Sequence, residues 1–241
     1  PVVKLPGSPL ETSLLQRILD LPEAARPPMP MLTIQHRMHH DIQGLVAEVY
    51  GPTYGPHPDV AEHRLVDLPG VRATPLTDRP TLWIDTAGAG LAEARDPVTH
   101  SLYNPGEVRL VAEVVAQLRS AGVPAEAIGV IAPYSAQVEA LRGHPGLAGC
   151  EVATVNAFQG REKEAIICTW TRSNPDGEMG FVADGGRLTV ALTRARRLHV
   201  SVGDTATLGG HRRFAALFDA LAAQEAWESV WSPPWVEALE D

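Results

Sequence analysis

Two arginines, Arg194 and Arg196, follow a segment with helical periodicity. Leu188, Ala191 and Leu192 share one face of that segment, which places both guanidinium groups in its last turn, off the apolar face. A guanidinium group is a planar fork of hydrogen-bond donors that stays charged at any working pH and matches phosphate oxygens. The pattern therefore indicates an anion site. The alternative is a surface helix whose arginines only stabilise its C-terminal dipole.

Two apolar runs precede this helix and are typical of buried parallel strands. They cover residues 152–155 and 165–170, and a turn-rich connection at residues 156–162 joins them. Ligands of open α/β sheets bind at the carboxyl ends of the strands, where this connection begins. The sequence therefore predicts a ligand-binding connection at one edge of a parallel sheet.

A long helix is predicted to begin at Asn104. Asn is a favoured N-cap residue, and Pro105 suits the first helical position. Glu107 stands three residues after the cap, a spacing that predicts a capping box in which its carboxylate reaches back to the cap. Further buried strands are predicted at residues 81–85, 128–132 and 198–203.

Four blocks of the sequence resemble motifs of superfamily-1 helicases, in the order that the family has them. The similarity is to the branch that contains the nonsense-mediated-decay helicase and the immunoglobulin-mu-binding-protein helicase. The resemblance implies an α/β fold, namely a RecA-like domain of the P-loop NTPase type with a mainly parallel sheet flanked by helices. The four blocks are QHRMH at residues 35–39, IAPYSAQ at 131–137, TVNAFQGREKEAIICTWTRSN at 154–174 and GRLTVALTRARRLHVSVGD at 186–204.

The resemblance implies an ATP-dependent helicase or translocase that moves 5′ to 3′ on single-stranded DNA or RNA. Arg37 and Arg194 would contact the γ-phosphate of ATP, with Arg194 as the arginine finger. Glu162 would bind the ribose, and Arg196 would contact the nucleotide or the neighbouring domain. The other residues that the resemblance assigns to the nucleotide site are Gln35, His36, Gln159 and Gly160.

One residue of this site departs from the family pattern. His36 takes the place of the usual tyrosine, which stacks on adenine in the resembled family. A histidine ring is smaller and titratable, so it should stack less well on the base. The sequence therefore predicts weaker selectivity for adenine.

The resemblance also assigns residues to the backbone of a nucleic-acid strand. They follow two predicted strands and supply suitable hydrogen-bond donors. The alternative is ordinary capping of a helix after a strand, which for Ser135 is equally well supported. The four residues are Tyr134, Ser135, Gln137 and Thr154.

The sequence contains no G-x-x-x-x-G-K-[ST] phosphate loop and no acidic strand end that would hold Mg²⁺. In the resembled family both belong to a preceding RecA-like domain. The chain is therefore expected to be part of a longer protein and to hydrolyse almost no ATP alone. The predicted organisation is a lead-in from that first domain at residues 1–30, a second motor domain at 31–225 with an irregular insertion at about 51–80, and a tail at 226–241.

Composition limits the partners and the location. A hydrophobic content of 44% is ample for a core, and a formal net charge of −9 means that nucleic acid must bind at a local basic groove. Two cysteines and the lack of a signal peptide or a long apolar run predict a reduced, cytoplasmic protein without membrane contact. His36, His39 and His40 lack further ligands at a convincing spacing, so no metal site is expected.

A second function class is a non-catalytic nucleic-acid-binding or assembly module that keeps the motor fold. The presence of Arg37, Arg194 and Glu162 argues against it, because a binding module has no need of half an ATP site. The choice between DNA and RNA stays open, since contacts to the backbone alone do not test for the 2′-hydroxyl.

Overall fold

The computed structural model describes residues 14–240 and divides into two compact units, residues 1–33 and 34–241. In the first unit, helix α1 covers Leu14–Leu19 and a 3₁₀ turn covers Glu23–Ala25. The lead-in that the sequence predicts at residues 1–30 therefore lies partly outside the described residues, and its boundary stays a prediction.

Ten strands are described, and six of them form one sheet. The order across that sheet is 10-3-9-8-6-7 in chain numbering, and every neighbouring pair is parallel. The strands are β1 (Ile34–Gln35), β2 (Gly55–Pro56), β3 (Thr81–Asp85), β4 (Ala94–Arg95), β5 (Leu102–Tyr103), β6 (Ile128–Ala132), β7 (Glu151–Thr154), β8 (Lys163–Thr169), β9 (Ala195–Gly203) and β10 (Trp227–Ser229).

Helices connect the strands of this sheet. Short 3₁₀ turns at Leu65–Asp67, Ala125–Ala127, Pro145–Leu147 and Gly180–Ala183 complete the connections. The helices of the second unit are α2 (His40–Gly44), α3 (Ala47–Tyr50), α4 (Pro58–Ala61), α5 (Pro105–Ser120), α6 (Ser135–Gly143), α7 (Gly185–Leu192), α8 (Thr205–Leu208), α9 (Arg212–Ala223) and α10 (Glu237–Glu240).

Successive side chains of a strand point to opposite faces of the sheet, and both faces are buried. Leu82 and Ile84 of β3 join an apolar cluster with Leu110 of α5, whereas Trp83 joins a second cluster with Phe214 of α9. Such two-sided burial explains why the strands read as continuous apolar runs. This parallel sheet between two helical layers confirms the predicted α/β, RecA-like fold.

Several predicted elements have the observed bounds. The strands predicted at 81–85 and 128–132 are β3 and β6, and Asn104 caps α5 by accepting a hydrogen bond from the Glu107 backbone N–H. The predicted capping box is wrong in its second half. The Glu107 carboxylate is buried and accepts hydrogen bonds from the Thr169 hydroxyl and the Thr171 N–H instead of reaching back to the cap.

Two segments predicted as an irregular insertion and a tail, at residues 51–80 and 226–241, contain short helices and strands. Residues 51–80 are mostly irregular but contain α4 and β2, and β2 pairs in parallel with β1. The last segment supplies β10, which pairs in parallel with β3 at the edge of the sheet. Val230 and Trp235 beyond it are buried in the core, and the predicted boundary of a tail at 226–241 stays a prediction. None of the helices in the described part of the chain combines the length and hydropathy that a bilayer-spanning segment needs.

Candidate functional site

The carboxyl ends of β6 and β7 lie side by side. Ala132, the last residue of β6, pairs with Thr154, the last residue of β7. Tyr134 and Ser135 lie two and three residues after the end of β6, and the connection at residues 156–162 begins two residues after the end of β7. The fold therefore brings three of the four residues predicted to hold a nucleic-acid strand to one edge of the sheet, as expected for strands that run parallel.

Arg37 and Glu162 are joined across the domain. The Arg37 Nε donates a hydrogen bond to the Glu162 carboxylate at 2.5 Å, and its Nη1 donates to the Thr193 carbonyl at 3.2 Å. The other carboxylate oxygen of Glu162 lies 3.7 Å from the Arg196 Nη1. Both Arg37 and Glu162 remain partly exposed, so one carboxylate is shared by two guanidinium groups at the protein surface.

Arg194 lies beside this pair and forms no salt bridge of its own among the described residues, although the charge of Glu162 acts on it from nearby. Its Nε donates to the Val190 carbonyl at 3.0 Å and its Nη2 donates to the Thr193 hydroxyl at 2.7 Å, which fixes the plane of the guanidinium group. Burial, and then the positive charge of Arg37, lower the pKa of Arg194. An arginine keeps its charge at neutral pH even so. A fixed, half-buried cation next to a second cation fits an anionic ligand such as a phosphate.

Arg196 does not lie where the sequence predicts. Helix α7 ends at Leu192, and Arg196 belongs to β9 because residues from Ala195 onward pair with β8. Its guanidinium group lies 3.5 Å from the Glu164 carboxylate as well as near Glu162. Arg196 is therefore tied into ion pairs of the sheet, whereas Arg194 sits in the turn between α7 and β9.

Gln35 supports Arg37 from within. Its side-chain oxygen accepts hydrogen bonds from the backbone N–H groups of Arg37 and Met38, both at 2.7 Å, and its amide nitrogen donates to the Met38 carbonyl. Gln35 is buried, so these bonds set the turn that presents Arg37. Gln35 therefore positions Arg37.

The remaining predicted nucleotide residues are exposed. His36 stacks on His57 with 4.4 Å between the ring centroids and an angle of 25°. Gln159 and Gly160 lie in the connection after β7, where Gly160 has a φ of +84° that favours glycine. An exposed imidazole backed by a second ring offers a flat face to a base.

The four predicted strand-binding residues differ in exposure. Ser135 is exposed and donates to the Ser101 hydroxyl at 3.1 Å, while Tyr134 and Thr154 are half-buried. Gln137 is 0% exposed. Its oxygen accepts a hydrogen bond from the Asn104 N–H at 2.7 Å, and its nitrogen donates to the Thr169 hydroxyl at 2.9 Å. Because both ends of this amide are used inside the protein, Gln137 is not available to a nucleic acid.

Comparisons with known proteins decide the family. A family model described as an AAA domain matches residues 10–206. DNA-binding protein SMUBP-2 of Mesocricetus auratus is 45% identical over 216 residues, which cover 87% of this chain and 21% of that protein. DNA polymerase alpha-associated DNA helicase A of Saccharomyces cerevisiae is 40% identical over 211 residues, which cover 83% of this chain and 31% of the helicase. The chain belongs to the superfamily-1 helicases.

A third relative matches this chain at lower identity. The Regulator of nonsense transcripts 1 homolog of Drosophila melanogaster is 32% identical over 210 residues, which cover 83% of this chain and 17% of that protein. The chain thus spans between 17% and 31% of the lengths of these three relatives. It is a helicase-type motor domain, and the predicted resemblance to this branch of superfamily 1 is confirmed.

One residue at the carboxyl edge of the sheet, Arg172, is not among the site residues predicted from the sequence. It follows β8, and its side chain is only 4% exposed. Its Nε donates to the Glu93 carboxylate at 2.8 Å, and its Nη1 donates to the Tyr134 hydroxyl at 3.4 Å. Arg172 thereby holds Tyr134 in place. The position of Arg172 shortly after an apolar strand could have indicated a role at this edge. Its partner Glu93 is distant in sequence, so the sequence alone does not pair the two residues.

The structure contains one group of side chains with the spacing of metal ligands among the described residues. Among the described residues, the group that could hold an ion is His39, His40 and Asp41, whose ligating atoms lie within 4.8 Å of one another. His39 is buried, burial lowers its pKa to about 3, and its Nδ1 accepts a hydrogen bond from the Asp41 N–H at 3.0 Å. This group does not suit Mg²⁺, which prefers oxygen ligands. Glu162 is already paired with Arg37 and Arg196, so the described residues around the arginines do not fit Mg²⁺ either.

Proposed function

We propose that this chain is the second RecA-like motor domain of an ATP-dependent helicase or translocase that acts on single-stranded DNA or RNA. The observation that carries the proposal is Arg194, a fixed and half-buried cation that forms no salt bridge among the described residues. Arg37 lies close enough to lower its pKa, so both guanidinium groups belong to one patch. Two such groups suit the γ-phosphate of ATP.

The proposed site is shared between two domains. A preceding RecA-like domain of the same protein holds the phosphates and Mg²⁺, because this sequence lacks a phosphate loop. Arg37 and Arg194 stabilise the negative charge of the γ-phosphate from the other side of the cleft, and Glu162 accepts hydrogen bonds from the ribose. ATP supplies the free energy that opens and closes the cleft. His36 stacks on the adenine, with His57 behind it.

The pairing of Glu162 with Arg37 supports this division of roles. The Glu162 carboxylate holds the Arg37 guanidinium group at the surface, and it is itself partly exposed. Its formal charge would oppose a phosphate at the same position, so it suits the neutral ribose next to the phosphates. Gln159 and Gly160 line the cleft beside it.

A nucleic-acid strand would lie along the carboxyl ends of β6 and β7. Tyr134, Ser135 and Thr154 contact its backbone there, and opening and closing of the cleft moves these residues along the strand. The net charge of −9 makes a local site of this kind necessary. Travel from 5′ to 3′ belongs to the same proposal through the family resemblance, and so does a location in the cytoplasm.

Single-strand-stimulated ATP hydrolysis by the full-length protein tests the proposal. Arg194→Ala should lower turnover by about 10³ to 10⁵ while ATP binding is largely kept, since an arginine finger acts on the transition state. Arg212→Ala is the matched control, because Arg212 is 88% exposed and pairs with Glu48 outside the cluster. Unchanged turnover in Arg194→Ala would make this arginine structural. A full-length protein that binds single strands without hydrolysing ATP would instead be a non-catalytic binding module.

A further inference from the structure

Phe181 is the exposed member of the four phenylalanines. Phe158 and Phe214 are fully buried and Phe218 packs against the core, whereas 39% of Phe181 is exposed. An aromatic side chain in water forgoes the stabilisation that burial would give. The neighbours of Phe181 indicate what the exposed ring serves.

Phe181 lies beside a residue of the proposed strand site. Its ring centroid is 4.9 Å from that of Tyr134, in an edge-to-face arrangement at 66°. The guanidinium carbon of Arg187 lies 4.3 Å from the centroid of Phe181. A ring and a cation are therefore stacked on each other next to the carboxyl end of β6. Single-stranded nucleic acids bind to surfaces that combine aromatic rings with arginine in this way.

The loop that carries Phe181 is anchored from below. Arg172 is buried and bonded to both Glu93 and Tyr134. Gly180 packs directly on it, since a Cβ at Gly180 would lie 2.4 Å from the Arg172 Nη1. The φ of +55° at Gly180 also favours glycine. The ring is thus held at a fixed place, which lowers the entropy that a ligand must remove on binding.

The charges around the Phe181 ring indicate whether the ring would contact a base or a phosphate of the strand. Glu178 lies 3.7 Å from the Arg172 guanidinium group, and Asp184 lies 3.5 Å from that of Arg187. These carboxylates compensate the cations and repel a phosphate. The flat faces of Phe181 and Arg187 still suit an uncharged base, so stacking is favoured over backbone contact.

We propose that Phe181 and Arg187 form a stacking platform for one base of a single-stranded nucleic acid. Tyr134 and Ser135 hold the backbone of the same strand beside it. This inference rests on the proposed function, because it needs a strand bound along this edge. Every base has a π face, so the platform adds affinity without selecting a sequence.

Equilibrium binding by the full-length protein tests the platform with two probes, an oligothymidine strand and an abasic strand of equal length. Phe181→Leu keeps an apolar side chain but removes the ring. It should weaken binding to oligothymidine by about 5- to 150-fold, with little change for the abasic strand. Phe181→Trp should restore the binding. The slope of log K against log salt should stay constant, since no phosphate contact is lost.

Trp231→Leu is the matched control. Trp231 is 57% exposed and follows β10, at the opposite side of the sheet from β6 and β7, so its loss should affect neither probe. An equal loss of both probes in Phe181→Leu would overturn base stacking, and unchanged binding of both would overturn the platform. If only ATP turnover falls, Phe181 contacts the first motor domain instead. A wild-type protein that binds neither oligothymidine nor an oligouridine strand would contradict the proposed function itself.

Discussion

Gln137 and Ser135 stand two positions apart in the first turn of α6, yet they face different surroundings. Ser135 is exposed next to Tyr134, whereas Gln137 is enclosed between Asn104 and Thr169. An amide that satisfies two buried partners stabilises the fold, because those partners have no water to replace it. Substitutions at these two positions should therefore separate effects on strand binding from effects on stability.

Gln137→Ala should lower the free energy of unfolding by about 1–3 kcal/mol, because it leaves the buried Asn104 N–H without its acceptor. Chemical denaturation measures this, and the affinity of the folded protein for single strands should stay unchanged. Ser135→Ala is the matched variant, with a change in stability within about 0.5 kcal/mol and a loss of affinity. The assignment is wrong if Gln137→Ala weakens strand binding and leaves stability intact.

The loop between β8 and α7 depends on Arg172 in the same way. Glu93 and Tyr134 hold the guanidinium group, and Gly180 lies against it with a positive φ. Further along this loop, the Asn174 side chain bonds both the N–H and the carbonyl of Glu178. One buried cation thus supports the whole segment that presents Phe181.

Gly180→Ala tests this support against Gly177→Ala. Both glycines have a positive φ, so each substitution should cost about 1–2 kcal/mol of stability for the backbone alone. A Cβ at Gly177 would meet nothing within 4 Å, whereas one at Gly180 would meet Arg172 and Tyr134. Gly180→Ala should therefore cost about 1–3 kcal/mol more, measured by thermal unfolding. Equal losses would show that the loop does not rest on Arg172.

Local patterns predicted most of the elements. The apolar runs at 128–132 and 165–170 match β6 and β8, since burial on both faces leaves a direct trace in the sequence. The helix cap at Asn104 was equally visible. The sequence did not predict the position of Arg196 in a strand. Pairing of β9 with β8 begins at Ala195, so the helix ends earlier than its periodicity suggests.

Long-range contacts explain the other differences. Glu107 bonds Thr169 and Thr171, which lie more than sixty residues away in the chain. The Arg172 and Glu93 pair likewise depends on two separate connections meeting at the sheet edge. The predicted roles of Arg37, Arg194 and Glu162 stay predictions, although the fold brings these three residues together.

Three buried titratable groups among the described residues have large pKa shifts and contribute to the pH dependence of stability. Burial raises the pKa of Glu107 to about 8, and it lowers the pKa values of His39 and His199 to about 3. Above pH 6.5 the folded protein keeps a proton on Glu107 that the unfolded chain has lost. Between pH 4.5 and 6.5 the unfolded chain also gains two histidine protons, so it binds one proton more than the folded protein.

These groups place the maximum of stability near pH 6.5. The free energy of unfolding should fall by about 1.4 kcal/mol per pH unit between pH 6.5 and 8, and by a similar amount per unit toward pH 4.5. Denaturant titrations at several pH values measure it. Glu107→Gln should abolish the decline above pH 6.5 and make the decline toward pH 4.5 steeper, because the two histidine protons are then no longer offset by the proton on Glu107. A wild-type stability that is flat between pH 6.5 and 8 would contradict a protonated Glu107.

The position of β10 has a consequence for how the molecule is made. Among the strands of the sheet it is the last to leave the ribosome, yet it pairs with β3, the first of them to be synthesised. Until then β3 presents an open row of backbone N–H and carbonyl groups, the kind of edge at which chains associate wrongly. The edge of β3 in the nascent domain therefore stays uncovered until β10 has left the ribosome.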